Sequence, residues 1–137
     1  MRSQGNSSAI VYLDEVEVLV IHARIIDATG GSHGVRDTHL LKSAIERPKT
    51  EVFGKVLFES VFEKAAAYFD SIAHHHPFID GNKRTSFALM VRFLELNNYS
   101  FDASNKEVET YVLEAVTGHY TPEDISLWLK EHSKRVK

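Results

Sequence analysis

One stretch constrains the fold of this chain more than any other. From Asn82 to about Asn97 it is apolar on nearly every side of a helix, through Phe87-Ala88-Leu89-Met90-Val91 and Phe93-Leu94. A helix without a polar face has to be packed by neighbours all round. The rest of the sequence supplies those neighbours in helical periodicity. Asp14 stands at a capping position with Glu17 three residues on, and Val16, Leu19, Val20 and Ala23 follow at helical spacing. This predicts a first helix to about Asp27, broken by Gly30-Gly31 and Gly34 around a Ser32-His33 loop. A short helix over Thr38–Arg47 is next, with Leu40, Leu41, Ala44 and Ile45 on one face and Pro48 stopping it.

Lys49 to Lys55 carry β-branched residues and a glycine, which suit a short hairpin or an extended loop. A long helix from about Phe58 to His74 follows, its stripe made by Phe58, Val61, Phe62, Ala65, Phe69 and Ile72. Pro77 ends it, and Pro77 to Gly81 form a loop into the apolar helix. Lys106–Thr117 reads as another helix with Gly118 just past its end. The last helix starts at Thr121-Pro122, a strong N-terminal signal, and buries Ile125, Trp128 and Leu129. The fold class is therefore all-α, a compact bundle around a central apolar helix, with room for one small β-hairpin.

Length and composition narrow the function. At 137 residues the chain is read as one domain over residues 11–137, behind a flexible, polar lead-in over residues 1–10. It has no cysteine, which removes disulfides, zinc-thiolate sites and thiol nucleophiles and agrees with the reducing cytoplasm where we expect it to work. Sixteen Lys and Arg against 19 Asp and Glu give a net charge of −3, so no basic field draws nucleic acid and no direct nucleic-acid partner is expected. No apolar run reaches the roughly 18 residues that span a membrane, and the polar N-terminus lacks the core of a signal peptide. No membrane partner is expected.

The chemistry concentrates in His76-Pro77-Phe78-Ile79-Asp80-Gly81-Asn82-Lys83-Arg84-Thr85. Its second half opens a helix, where free backbone N–H groups and the positive dipole end make an anion site. Gly81 lets backbone approach a ligand, and Lys83 and Arg84 add cations suited to phosphate oxygens. Asp80 is a carboxylate placed to hold a Mg²⁺ that bridges to phosphates. His76 is a base near neutral pH, four residues before that carboxylate.

Plainer readings compete. His-Pro at a helix end and Gly-Asn before a helix are common punctuation. Lys-Arg in a first turn, however, runs against the helix dipole, which favours acids there. That misfit points to an anionic ligand. Three consecutive histidines, His74-His75-His76, project about 100° apart on a helix and cannot converge on a metal. Phe58, Phe62 and Phe69 read as core, and the basic run Lys130–Lys137 as a solvated helix tail. Phe78 reads as a core anchor fixing the loop.

His76 to Arg84 resembles the signature of the Fic/Doc family, His-x-Phe-x-Asp/Glu-x-Asn-x-Arg, with every fixed position present. Gly30–Asp37, then Leu40-Leu41-x-Ser43-Ala44-x-x-Arg47-Pro48, Phe62–Ala67 and Phe93–Asn97 are similar to the Doc (death-on-curing) branch. The similarity runs from about Tyr12 to Trp128. AMP-transferring members usually carry glycine where this chain has Lys83. The Doc branch carries lysine there and binds nucleotide in the reversed sense, terminal phosphate toward the target.

The resemblance implies a protein kinase that uses ATP and Mg²⁺. His76 would take the proton of the attacking hydroxyl, Asp80 would hold Mg²⁺, and Gly81, Asn82, Lys83 and Arg84 would bind the phosphates. The Lys49–Lys55 segment would be a flap that aligns the target, and Arg36 with Asp37 would hold the preceding loop as an ion pair. The implied target is a threonine of elongation factor Tu. The family's self-inhibitory Ser/Thr-x-x-x-Glu-Gly/Asn pattern is matched only loosely at Thr110–Glu114, where Ala115 follows. Inhibition would then come from a Phd-like antitoxin bound as a helix in a groove. AMP transfer on the same scaffold, and a catalytically idle module that only binds its antitoxin, are the rival readings. A toxin that cleaves RNA finds no basic groove or paired catalytic histidines here.

Overall fold

Among the described residues, five of the six α-helices begin at a side chain that caps them, and the exception opens onto the signature loop. In the computed structural model, which describes residues 9–136, α1 (Glu15–Thr29) is capped by Asp14 and α2 (Thr38–Glu46) by Asp37. Full capping boxes start α3 (Val61–His75) at Ser60, α5 (Asn105–Thr117) at Ser104 and α6 (Pro122–Glu131) at Thr121. Each cap satisfies a backbone N–H that the helix itself cannot pair. Helix α4 (Asn82–Leu96) has no side-chain cap and begins at a left-handed Gly81.

The helices enclose α3 more than any other element. Lys64 to Phe69 and Ser71 to Ala73 are all buried, with α4 making the largest contact, α6 the next, and α2 also against it. Ala65, Ala66, Ala67 and Ala73 carry so little side chain that neighbours close in on every side. Helix α4 buries Leu89, Met90, Phe93 and Leu94, and leaves Phe87, Ala88 and Val91 half-exposed. Enclosure is thus shared, and small residues hide α3's part of it from a reading based on large apolar side chains. No helix among the described residues is long and apolar enough to cross a membrane.

The buried face of α1 differs from the expected one. Val18, His22 and Ile26 are buried, while Val16, Leu19 and Val20 are exposed at 70%, 36% and 41%. The buried stripe runs i, i+4, i+8 through a histidine, which a purely apolar stripe leaves out. The α2 helix ends at Glu46, and Pro48 sits inside a 3₁₀ turn, Arg47–Lys49.

Two small antiparallel sheets complete the fold. Strands β1 (Glu51–Val52) and β2 (Lys55–Val56) form the expected hairpin, its turn made by Phe53 and Gly54 at φ of 53° and 78°. The second sheet was not expected. Strand β3 (Tyr99–Phe101) pairs with β4 (Ser133–Arg135), so the basic C-terminal run is not a helix tail: the helix stops at Glu131, and Lys134 and Arg135 lie in a strand. Arg135 lies over the Tyr99 ring at 5.6 Å. Of the expected lead-in, residues 1–8 lie outside the described residues. Ile10 packs on the core, and Val11 exchanges two 2.9 Å hydrogen bonds with the Asn97 side chain.

Phe93 is wholly buried, with its ring 5.2 Å from Tyr68 and 5.9 Å from Tyr12. Phe93→Ala should cost about 3–5 kcal/mol of stability, read by chemical denaturation.

Candidate active site

The six-residue loop between α3 and α4 is held by hydrogen bonds to its own main chain. Asn82, 9% exposed, accepts from Phe78 N through Oδ1 at 3.0 Å and donates to Phe78 O through Nδ2 at 2.9 Å. His22, buried in α1, donates from Nε2 to Asp80 O at 2.8 Å. Its ring lies flat on Phe78, with centroids 3.8 Å apart and planes 7° apart. Phe78 is 1% exposed, so the expected anchor is a core residue. On the outer side Val35 bridges Phe78, and Arg36 N and Asp37 N both donate to Pro77 O.

Arg36 and Asp37 hold this region, but not as a pair. Arg36 donates to His76 O at 2.6 Å and to His75 O at 2.8 Å, whereas Asp37 caps α2 through Leu40 N. No ion pair joins them among the described residues. The last carbonyls of α3 need donors, and a guanidinium fork satisfies two at once. This fixes His76, which ends α3 in the left-handed region at φ 52° and ψ 60° with its side chain exposed.

His74 turns away from His76. Its Nδ1 meets Asp70 Oδ1 at 3.0 Å, and its ring stacks on His119 at 5.4 Å.

Asp80 is exposed and fixed by two main-chain donors. Oδ1 accepts from Gly81 N at 2.9 Å and Oδ2 from Ser32 N at 3.2 Å. The second contact depends on glycine: a Cβ on Gly31 would stand 2.6 Å from Asp80 Oδ2. Gly81 is equally constrained, at φ 75° with Ile26 Cδ1 2.9 Å from where its Cβ would be. A single hard carboxylate with lone pairs to spare suits Mg²⁺, which completes its octahedral shell with water and phosphate oxygens. Among the described residues no group of three acidic or histidine side chains could hold a metal alone.

Helix α4 presents the amides of Asn82, Lys83 and Arg84 without a cap. Lys83 and Arg84 are exposed, and neither has a carboxylate partner among the described residues; Arg84 instead donates to Thr29 Oγ1 at the end of α1. The structure therefore gathers Asp80, Gly81, Lys83 and Arg84 around a free helix N-terminus, with His76 across the loop. Asn82 is also there, but its amide points inward as the loop's clamp. His22, Thr29, Gly31 and Ser32 join the site without having been singled out. Only His22 left a signal, as a lone polar residue between Val18 and Ile26 at helical spacing.

Such a loop brings an imidazole, a carboxylate and two cations to an uncapped helix N-terminus in a mostly helical fold. Residues 12–94 match the profile of the Fic/DOC family. Over 92 residues the chain is 39% identical to Toxin Doc of Mycolicibacterium smegmatis (strain ATCC 700084 / mc(2)155), covering 67% of this chain and 68% of that protein. The chain belongs to the Fic/DOC family, in its Doc branch.

Asn82→Ala removes both bonds to Phe78 and strands its buried amide and carbonyl. Stability should fall by about 1–3 kcal/mol, and backbone amide exchange should quicken at residues 77–81. Unchanged exchange in that loop would remove Asn82 from the clamp.

Proposed function

We propose that this chain is the toxin of a toxin–antitoxin pair and transfers the terminal phosphate of Mg-ATP to a Ser or Thr hydroxyl of a translation factor similar to elongation factor Tu. The observation that carries this reading is the uncapped, left-handed entry to α4 flanked by two exposed cations with no carboxylate partner among the described residues. A helix start with no acid, no cap and a Lys-Arg pair is unfavourable for the helix alone and favourable once phosphate binds there. The 39% identical relative is named a toxin, which supports the same role here and with it an antitoxin partner.

In this reading the exposed imidazole of His76 accepts the proton of the target hydroxyl as its oxygen attacks the terminal phosphorus, and the bond from that phosphorus to the bridging oxygen breaks to release ADP. Arg36 holds the main chain of His75 and His76, so the base is presented at one place. Lys83 and Arg84, with the first amides of α4, neutralise charge on the transferring group and on the phosphates behind it. Asp80 would hold Mg²⁺, which supplies further neutralisation of phosphate oxygens when bound. The β1–β2 hairpin offers exposed strand edges on which a target segment can pair by main-chain hydrogen bonds. Inhibition falls to a separate Phd-like antitoxin, bound as a helix in a groove, and the protein acts in the cytoplasm.

The test is a transfer assay in bacterial lysate with Mg²⁺ and ATP labelled at the α or the γ phosphate. Label should reach a protein from the γ position only, with His76→Ala folded by circular dichroism and inactive. Label arriving from the α position would establish AMP transfer and overturn the inference from Lys83. Transfer from neither position, with folding intact, would leave the antitoxin-binding module as the function.

A further inference from the structure

Two carboxylates far along the chain from the signature loop sit where their helices disfavour them. Glu114 lies in the last turn of α5 and Glu131 is the last residue of α6, at the negative ends of the helix dipoles. From Asn105 to Glu131 six carboxylates stand against two lysines, in a chain whose net charge is −3. Glu114, Asp124 and Glu131 are exposed, and none forms an ion pair among the described residues. Asp124 serves the cap of α6 through Thr121 N, but Glu114 and Glu131 do nothing of the kind for their helices.

Asp124 and Glu131 line a cleft of about 410 Å³ together with Tyr111, Tyr120, Leu127 and Trp128. Its aromatic wall is held in place by its own stacking. Tyr111 lies flat on Trp128, with centroids 3.9 Å and planes 2° apart, and Tyr120 meets Tyr111 edge to face at 5.7 Å and 61°. Leu127 is 60% exposed, so the cleft opens on the surface. Burial pushes the Tyr111 hydroxyl up from its ordinary value, and the negative charges of Asp124, Glu114 and Glu131 push it further the same way. The field in the cleft is therefore one that a cation relieves.

Aromatic carbon beside unpaired carboxylates selects among cations. A divalent metal needs several oxygen ligands and gains nothing from aromatic walls. An ammonium is strongly hydrated and meets a carboxylate as a point charge. A guanidinium is flat and weakly hydrated, packs on aromatic side chains and pairs with a carboxylate through two N–H groups. We infer that this cleft docks an arginine side chain of a partner polypeptide, its guanidinium on Glu131 and its stem along Leu127 and Trp128. Tyr, Trp and Arg are the residue types that anchor protein interfaces, and here the first two await the third. None of these residues belongs to the site described above, so the inference stands apart from the nucleotide reading.

Trp128 is the one tryptophan of the chain, so its fluorescence reports on this cleft. The native chain is titrated with hexa-arginine, with hexalysine and with tetramethylammonium at matched ionic strength. Hexa-arginine should change the emission saturably and bind roughly tenfold or more tightly than hexalysine. Glu114→Gln with Glu131→Gln should weaken hexa-arginine by about tenfold or more. The thermal midpoint of that variant should hold or rise, because both acids oppose their helix dipoles. A fallen midpoint would show that the acids serve the fold and would refute the inference. Equal affinities for the two peptides would reduce the cleft to a general negative field, and unchanged affinity in the variant would remove its carboxylates. Either result overturns the arginine site. So would the absence of a saturable change with hexa-arginine, or a response to tetramethylammonium alone, which would make the cleft a small-molecule site.

Discussion

The two-point clamp between the Asn82 side chain and the main chain of Phe78 is the interaction on which the site depends. Pro77, Phe78 and Gly81 of the turn are buried against helices, where main-chain polar groups lie out of reach of water, and each left unpaired costs free energy. Asn82 satisfies the N–H and the C=O of the one residue whose side chain is driven into the core. His22 takes the Asp80 carbonyl and covers the Phe78 ring. With main chain and anchor both fixed, the Asp80 carboxylate, the His76 imidazole and the α4 amides are presented outward in a set arrangement. Preorganised donors of this kind stabilise developing charge without rearranging when the reaction occurs.

That arrangement costs the fold something locally. Helix α4 gives up the capping oxygen that the other described α-helices use, places Lys83 and Arg84 at the positive end of its dipole, and starts from Gly81 in the left-handed region. His76 also adopts a left-handed conformation, uncommon for a residue with a side chain. These departures cluster within nine residues, and each one leaves a donor, a cation or a base facing outward. Strain and poor capping gathered at one place mark function more clearly than any single residue there.

The helices were legible because their ends carry chemistry. Thr121-Pro122, Asp14 and the Gly118 stop stand where the periodicity and caps placed them. The signature loop was legible for the same reason, since its lysine and arginine stand in a first turn without an acid, where four of the other described helices carry one. Tertiary pairings were not. The face of α1 is decided by His22 finding Asp80 and Phe78, partners 58 and 56 residues away, and no local pattern encodes that. Strand β4 exists because β3 supplies an edge, so its basic residues gave no sign of a strand on their own. Arg36 and Asp37, adjacent and opposite in charge, suggest an ion pair, but helix ends on either side offer them better-placed partners.

The account stands on the α4 N-terminus being the phosphate site, and calorimetric titration of Mg-ATP tests this most directly. Lys83 and Arg84 are exposed, so Lys83→Ala with Arg84→Ala should leave the fold unchanged. The native chain should show saturable binding at one site, weakened in the double variant on the order of a hundredfold or more, as loss of two charge-assisted contacts requires. Undiminished binding by the double variant would place the nucleotide somewhere other than this helix and contradict the account at its centre.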